Sequence, residues 1–250
     1  MERCQLIWIS MIYNWLKNNL FKPLSKQCLL CLSSTQNEHL ICGDCENNLT
    51  RNVHSCVICA IPLHTADSKN TLICGKCQQQ RPFYNTSIVP FIYASPLKQF
   101  IAGLKFHNNL FYTSALAYIF TRSFNRSRSQ LPECIIPVPL HKQRLRERGF
   151  NQALELSRII SKQLNVPIDN SLCHRVKATP FQSGFDAKER ARNMKNAFII
   201  NTHHSYKHVA IFDDVVTTGT TANELAKQLK ISGVEMIEVW AIARTENKNT

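Results

Sequence analysis

The chain has 250 residues, with 30 Lys and Arg against 17 Asp and Glu, 11 cysteines and only 7 glycines. Apolar residues reach 44%, enough to bury an ordinary core and too many for a disordered chain. A collagen, a low-complexity tail and a multi-span membrane protein are excluded, and at roughly 100–200 residues per domain there is room for one large domain or two smaller ones.

Residues 5–21 place Leu6, Ile9, Ile12, Trp15, Leu16 and Leu20 at helical spacing, which predicts an amphipathic helix ended by Pro23. Its polar face is rich in Asn rather than in Lys and Arg, so it is expected to pack on the protein and not on a membrane surface. Asn14, Lys17, Asn18 and Asn19 break up the apolar stretch, and no small-residue cleavage site follows, so no signal peptide is read. Nothing reaches the roughly 18 uninterrupted apolar residues of a membrane helix. The expected compartment is the reducing cytoplasm.

Eight cysteines form four CxxC pairs: Cys28/Cys31, Cys42/Cys45, Cys56/Cys59 and Cys74/Cys77. Each pair can present two thiolates to one ion, and four thiolates about 2.3 Å from Zn²⁺ complete a tetrahedral structural site. The four knuckles therefore predict one or two structural zinc ions within a Cys-rich module over 28–80. Spacing leaves the pairing open between sequential and cross-braced sites. A disulfide framework is disfavoured in a reducing compartment. Cys4, Cys134 and Cys173 stand outside the pattern, and His39, His54 and His64 are read as bystanders.

Past a linker at Arg81–Pro82, Ile88–Tyr93 reads as a strand. Pro96 opens a helix carrying Lys105 and Phe106, and a second helix is expected over 108–122. Cys134–Leu140 reads as a strand, Phe150–Leu164 as a helix, and the basic stretch 174–196 as a long mobile loop. Strands at Ala197–Ile200, His208–Phe212 and Glu235–Ala243 surround a helix over Thr220–Ile231. Alternating strands and helices predict an α/β domain with a largely parallel sheet over 88–250. Residues 1–27 are taken as the N-terminal helical segment.

The most informative stretch runs Val209-Ala210-Ile211-Phe212-Asp213-Asp214-Val215-Val216-Thr217-Thr218-Gly219-Thr220-Thr221. Four apolar residues make a buried strand, two acids emerge at its carboxyl end, and a Thr/Gly turn enters a helix. Ligands of open α/β sheets bind at that edge. Amides at a helix start favour a phosphate. Gly219 lets the backbone approach it, four threonines offer hydroxyls, and Asp213 and Asp214 suit sugar hydroxyls. No Walker loop and no GxGxxG is present.

This stretch resembles the thirteen-residue phosphoribosyl-pyrophosphate (PRPP) motif of type I phosphoribosyltransferases. Together with the knuckles, the chain resembles the ComF/GntX family, which joins an N-terminal zinc finger to a type I phosphoribosyltransferase domain. Further residues carrying the resemblance are Tyr93, Pro96, Lys105-Phe106, Pro137-Val138-Pro139-Leu140 and Arg148-Gly149-Phe150-Asn151-Gln152, then Arg175, Lys177, Thr179, Gln182, Arg190, Asn193 and Ala197-Phe198. It extends over roughly residues 24–245.

The resemblance implies a parallel sheet flanked by helices, with a flexible hood loop over 174–196. It implies PRPP on Asp213, Asp214, Thr217, Thr218, Gly219, Thr220 and Thr221, with Mg²⁺ carried largely by PRPP. Pyrophosphate would meet the loop holding Val138, Pro139 and Leu140, with Lys105, Arg148, Arg175, Lys177 and Arg190 as further candidates. Asn151 and Gln152 either touch ligand or cap the following helix. Family members are associated with natural competence or with using external DNA as a nutrient. Two functions remain in view: a phosphoribosyltransferase of unidentified acceptor, and a non-catalytic DNA-binding or adaptor protein with a PRPP- or phosphate-sensing domain. Residues 122–195 hold fifteen Lys and Arg against six Asp and Glu, which suits single-stranded DNA or a nucleotide acceptor. Uptake or recombination machinery is the expected protein partner.

Overall fold

Nine residues from His208 to Val216 form the central strand, and eight of them are buried. Such a run belongs inside a parallel sheet covered on both faces. A computed structural model of the chain describes residues 27–35, 40–63, 72–106, 111–124, 130–178 and 192–246. The helix expected over 5–21 and the middle of the expected hood loop lie outside these residues. The chain divides into two compact units, Met1–Glu46 and Asn47–Thr250.

The first unit holds a knuckle in which the amide of Cys28 donates to Ser33 O and that of Leu32 to Cys28 O. A short helix, Gly43–Asn47, follows the second knuckle.

The second unit is built on a five-stranded sheet. Its strands are β1 (Thr86–Ile88), β2 (Phe91–Ile92), β3 (Cys134–Pro137), β6 (His208–Val216) and β7 (Met236–Arg244). The order is β1-β7-β6-β3, with β2 also pairing β7, and every pairing is parallel. The strand expected over Ile88–Tyr93 is split at Pro90, which has no N–H to give to β7. The central strand runs four residues beyond the expected Phe212, because Asp213–Val216 keep pairing with β7 as far as Arg244.

Side chains alternate across β6. Phe212 meets Phe120 edge-on at 5.6 Å, and Phe120 and Phe124 lie 6.0 and 4.9 Å from Trp240. That face is covered by helices Phe111–Ser123 and Gln152–Leu164. Val209 and Ile211 join the opposite core with Ala222, Leu225 and Leu229 of helix Thr220–Ile231. Cys56, Ile58, Ala60, Ile61 and Cys77 belong to this same core. The second pair of knuckles is thus a layer of the α/β unit. It is pinned to β1 by Thr86 Oγ1 donating to Val57 O at 2.7 Å and Ser87 Oγ donating to Ile58 O at 2.6 Å.

Two further departures from expectation concern basic residues. Lys142–Arg148 form a helix, capped by His141 and ended by Gly149 in the left-handed region. It buries none of its residues, so it carried no apolar periodicity to read. Cys173–Arg175 form β4, pairing antiparallel with β5 (Phe198–Ile200). The expected loop therefore leaves from a two-stranded ribbon, and residues 179–191 lie outside the described residues. Gly103, unexplained by local pattern, faces Tyr112, whose ring a Cβ would overlap. No helix among the described residues is long and apolar enough to cross a membrane.

Candidate functional site

From β3 the chain passes through two helices to Ile168, which bridges to Ile135. From β6 it passes through one helix to β7 on the other side. β3 and β6 are neighbours whose connections diverge, so a crevice opens between their carboxyl ends. Such a switch point is where open α/β sheets take ligands.

Both sequence-predicted loops end there. Pro137 pairs with Phe212, and Val138 N donates to Phe212 O at 2.9 Å. Pro139 and Leu140 continue this loop. Asn151 holds it: its Nδ2 donates to Val138 O while its Oδ1 accepts from Ala153 N, both at 3.0 Å. Of the two readings open for Asn151, the helix cap is the observed one.

Across the crevice, Asp214 is buried and Asp213 half-buried. Asp213 Oδ1 accepts from Asp214 N at 2.9 Å, and Asp214 Oδ1 from Val215 N at 3.0 Å. These local bonds fix the carboxylates against the strand end. Gly219 has φ +76° and caps the helix that begins at Thr220. Thr218 and Thr220 share a 2.8 Å hydroxyl bond over the turn. The first amides of that helix lack intrahelical partners by geometry and give the turn a positive end.

Two of the predicted cations lie within range of the acids' charge. Burial lowers the pKa of Arg148, Arg144 lowers it further, and Asp214 opposes the shift. Burial likewise lowers that of Arg175, with Asp213 opposing and Arg144 adding. Arg148 Nη1 donates to Gln152 Oε1 at 2.9 Å, and Arg175 lies 5.8 Å over the Phe198 ring. A cleft of about 880 Å³ opens beside them, lined by Leu140, Lys142, Asn151, His174 and Arg175.

The other candidates are placed differently. Lys177 Nζ donates to Lys195 O at 2.5 Å, across the base of the β4–β5 ribbon. Lys105 stands on helix Leu97–Phe106. Arg190 lies outside the described residues. Sequence reading missed two residues beside the turn. The Tyr84 hydroxyl lies 3.4 Å from where a Cβ of Gly219 would be. Arg244 donates to Val216 O and Thr217 O. Neither sits in a local pattern that would mark it.

The eight knuckle cysteines gather sequentially into two quartets, Cys28/Cys31/Cys42/Cys45 and Cys56/Cys59/Cys74/Cys77, with all sulfurs of a quartet within 4.8 Å of one another. Cys31 and Cys42 Sγ are 3.6 Å apart, Cys59 and Cys74 Sγ 3.7 Å. A tetrahedron with Zn–S bonds of about 2.3 Å has edges of about 3.8 Å, so the quartets match a closed structural zinc site. The thiols conflict without a cation. The hydrogen bond that Cys56 receives from Cys59 holds it down to about 4, while burial pushes Cys77 up to about 12.

The double zinc ribbon domain matches residues 19–86. Competence protein F of Haemophilus influenzae is 42% identical over 178 residues, covering 68% of this chain and 78% of that protein. The DNA utilization protein YhgH of Escherichia coli (strain K12) is 34% identical over 223 residues, covering 87% of this chain and 96% of its own length. The chain belongs to the ComF/GntX family. Its relatives reach to competence protein ComFC of Bacillus subtilis, 24% identical over 77% of this chain and 79% of that one. Adenine phosphoribosyltransferase of Trypanosoma brucei superposes with a TM-score of 0.38 at 14% identity, over 67% of this chain and 87% of that one. A likeness so distant carries no weight beside the strand order itself. For a ComF/GntX chain, the double ribbon and the parallel sheet are the expected pair of modules, and the quartets fit two zinc ions.

Proposed function

We propose that the chain binds PRPP at the crevice between β3 and β6 and serves DNA uptake or the use of external DNA. The observation that carries this reading is one juxtaposition. Asp213, Asp214 and the Thr217–Thr221 turn end one strand at the switch point, and Arg148 and Arg175 lie within range of the charges of Asp214 and Asp213. In this reading the turn amides and threonine hydroxyls take the 5′-phosphate, and Asp213 and Asp214 accept from the ribose hydroxyls. Val138, Pro139 and Leu140 border the pyrophosphate, with Arg148 and Arg175 balancing its charge.

The chemistry such a site supports is displacement at ribose C1. The acceptor's lone pair forms the new bond to C1, the C1–O bond to pyrophosphate breaks, and that electron pair leaves with pyrophosphate. The chain's part is to hold phosphate, ribose and leaving group in line and to place charge where charge develops. No nucleophilic side chain is required. The oxygen-only donors, carboxylates and threonine hydroxyls, suit Mg²⁺, which when bound with PRPP spreads the leaving-group charge. By sequence the sheet module is proposed over 88–250 and the Cys-rich module over 28–80, the second half of the latter packing into the core of the sheet unit.

The DNA context is taken from the printed names of the relatives, competence protein F and DNA utilization protein. The exposed basic helix Lys142–Arg148 beside the cleft favours a single-stranded DNA or nucleotide acceptor, with uptake or recombination machinery as protein partner. Eight paired thiols suit a reducing, cytoplasmic compartment.

Titration calorimetry with Mg²⁺–PRPP tests the reading. The wild-type chain should bind, and an Asp213→Asn/Asp214→Asn double variant should lose at least about tenfold in affinity, the scale of one charged hydrogen bond. Equal affinity in the two proteins overturns it.

A further inference from the structure

Arg244 ends β7 and is 4% exposed. Its guanidinium donates to main-chain carbonyls and also lies against the Cys59 thiol. Nε donates to Cys59 O at 3.0 Å. Nη1 donates to Val216 O at 3.1 Å, to Thr217 O, and to Thr245 O at 3.3 Å. A buried guanidinium held by carbonyls and by neighbouring cysteine thiols, with no carboxylate among the acceptors of its hydrogen bonds, is a costly arrangement that persists only where its surroundings hold it.

Its acceptors lie in two places that are far apart in sequence. Cys59 belongs to the second quartet, and Val216 and Thr217 lead into the phosphate turn. One rigid, planar group with fixed donor directions therefore joins the metal knuckle to the turn. The knuckle backbone is itself constrained. Ala60 N donates to Cys56 O at 2.7 Å, and Ala60 has φ +54°, a left-handed conformation that alanine adopts unwillingly. A metal on Cys56 and Cys59 would hold that turn, and with it the Cys59 carbonyl. Tyr84 makes a second bridge: it is buried in the core shared with Cys56 and Cys77, and its hydroxyl lies against Gly219.

We infer that Arg244 is a positioning residue that makes the second cysteine quartet part of the phosphate site. With metal on that quartet, the Cys59 carbonyl anchors Arg244, and Arg244 holds residues 216–219 in the conformation that presents their amides. Emptying the second quartet releases the turn. Emptying the first does not. The ligand in this inference rests on the PRPP reading, whereas the coupling between knuckle and turn does not.

The test uses the full zinc-loaded chain and amide hydrogen exchange in residues 215–223. Arg244→Met keeps every cysteine, so it should retain two zinc ions while exchange in the turn rises at least tenfold. Arg244→Lys, which cannot span both sets of carbonyls, should behave alike. A Cys59→Ser/Cys74→Ser variant should raise turn exchange, and adding Arg244→Met to it should raise it no further. A Cys31→Ser/Cys42→Ser variant should leave it unchanged. Exchange in residues 236–243 reports whether the sheet stays folded. Unchanged turn exchange in Arg244→Met with the sheet intact overturns the inference, as does an equal rise on emptying either quartet. Mg²⁺–PRPP titration should show tenfold weaker binding in Arg244→Met. A wild-type chain that fails to bind PRPP sinks the functional reading, while the exchange data still decide the coupling.

Discussion

Val138 N donates to Phe212 O at 2.9 Å, so the first residue past β3 is tied to the residue just before the paired acids. Two loops separated by more than seventy residues in sequence thereby share one register at the crevice. Asn151 locks the arrangement by gripping the Val138 carbonyl while capping its own helix. Asn151→Ala should cost about 1 kcal/mol of stability, the usual worth of a helix cap. Urea denaturation measures that loss. The same variant should weaken Mg²⁺–PRPP binding, because the 138–140 loop loses its tether, whereas a pure cap would leave binding untouched.

Gly219 sits at φ +76° with the Tyr84 hydroxyl 3.4 Å from its would-be Cβ. Gly219→Ala should destabilise the chain by about 1–2 kcal/mol through the left-handed backbone alone. Thermal unfolding reads the stability change. Calorimetry should show a larger proportional loss in phosphate binding, since the turn amides move with the strained residue.

Asp169 reports on pH. Burial would raise its pKa, but bonds from Ser171 Oγ at 2.8 Å, Ser171 N at 2.9 Å and Leu172 N at 2.9 Å outweigh it, and Tyr206 helps. The folded value is therefore below the unfolded one. The stability this supplies is complete above the ordinary carboxylate value of about 4 and is lost as pH falls through the lower folded value. Asp169→Asn should be less stable than wild type at neutral pH, and the gap should close in acid. A gap that persists unchanged to low pH would show that charge is not its source.

Metal removal separates the quartets. Chelation should release two zinc ions per chain, and Cys77→Ser should reduce the count to one. Because Cys56 and Cys77 lie in the core with Val209, Ile211 and Leu225, emptying the second quartet should lower the melting temperature of the sheet unit. Cys28→Ser should leave that transition in place. Calorimetric melting with metal counting checks both.

The parts legible in the chain were those whose chemistry is local. Each CxxC spans four residues, so two ligands of a site are neighbours before any folding. A strand, two acids and a Thr/Gly turn occupy thirteen consecutive positions, and helix Thr220–Ile231 begins and ends where its pattern predicted. Helix Lys142–Arg148 was not legible, because a helix that buries nothing shows no apolar period. Glu238 in β7 was equally silent. It stands at 0% exposure, accepting from Trp240 Nε1 at 2.7 Å and meeting His208 Nε2 at 3.1 Å. Only strand pairing brings those three together.

The sequence by itself determined the four CxxC pairs, the paired acids with their Thr/Gly turn and the alternation that makes a parallel sheet. The tertiary structure alone decided that the knuckles pair sequentially, that the second quartet lies in the sheet's core, and that Arg148 and Arg175 come within range of the charges of Asp214 and Asp213. It also decided that Arg244 reaches from Cys59 to Thr217. The physical reason is contact distance along the chain. Dihedral preference and hydrophobic period act within a few turns, whereas a buried arginine finds its acceptors 27 and 185 residues away, where no local pattern extends.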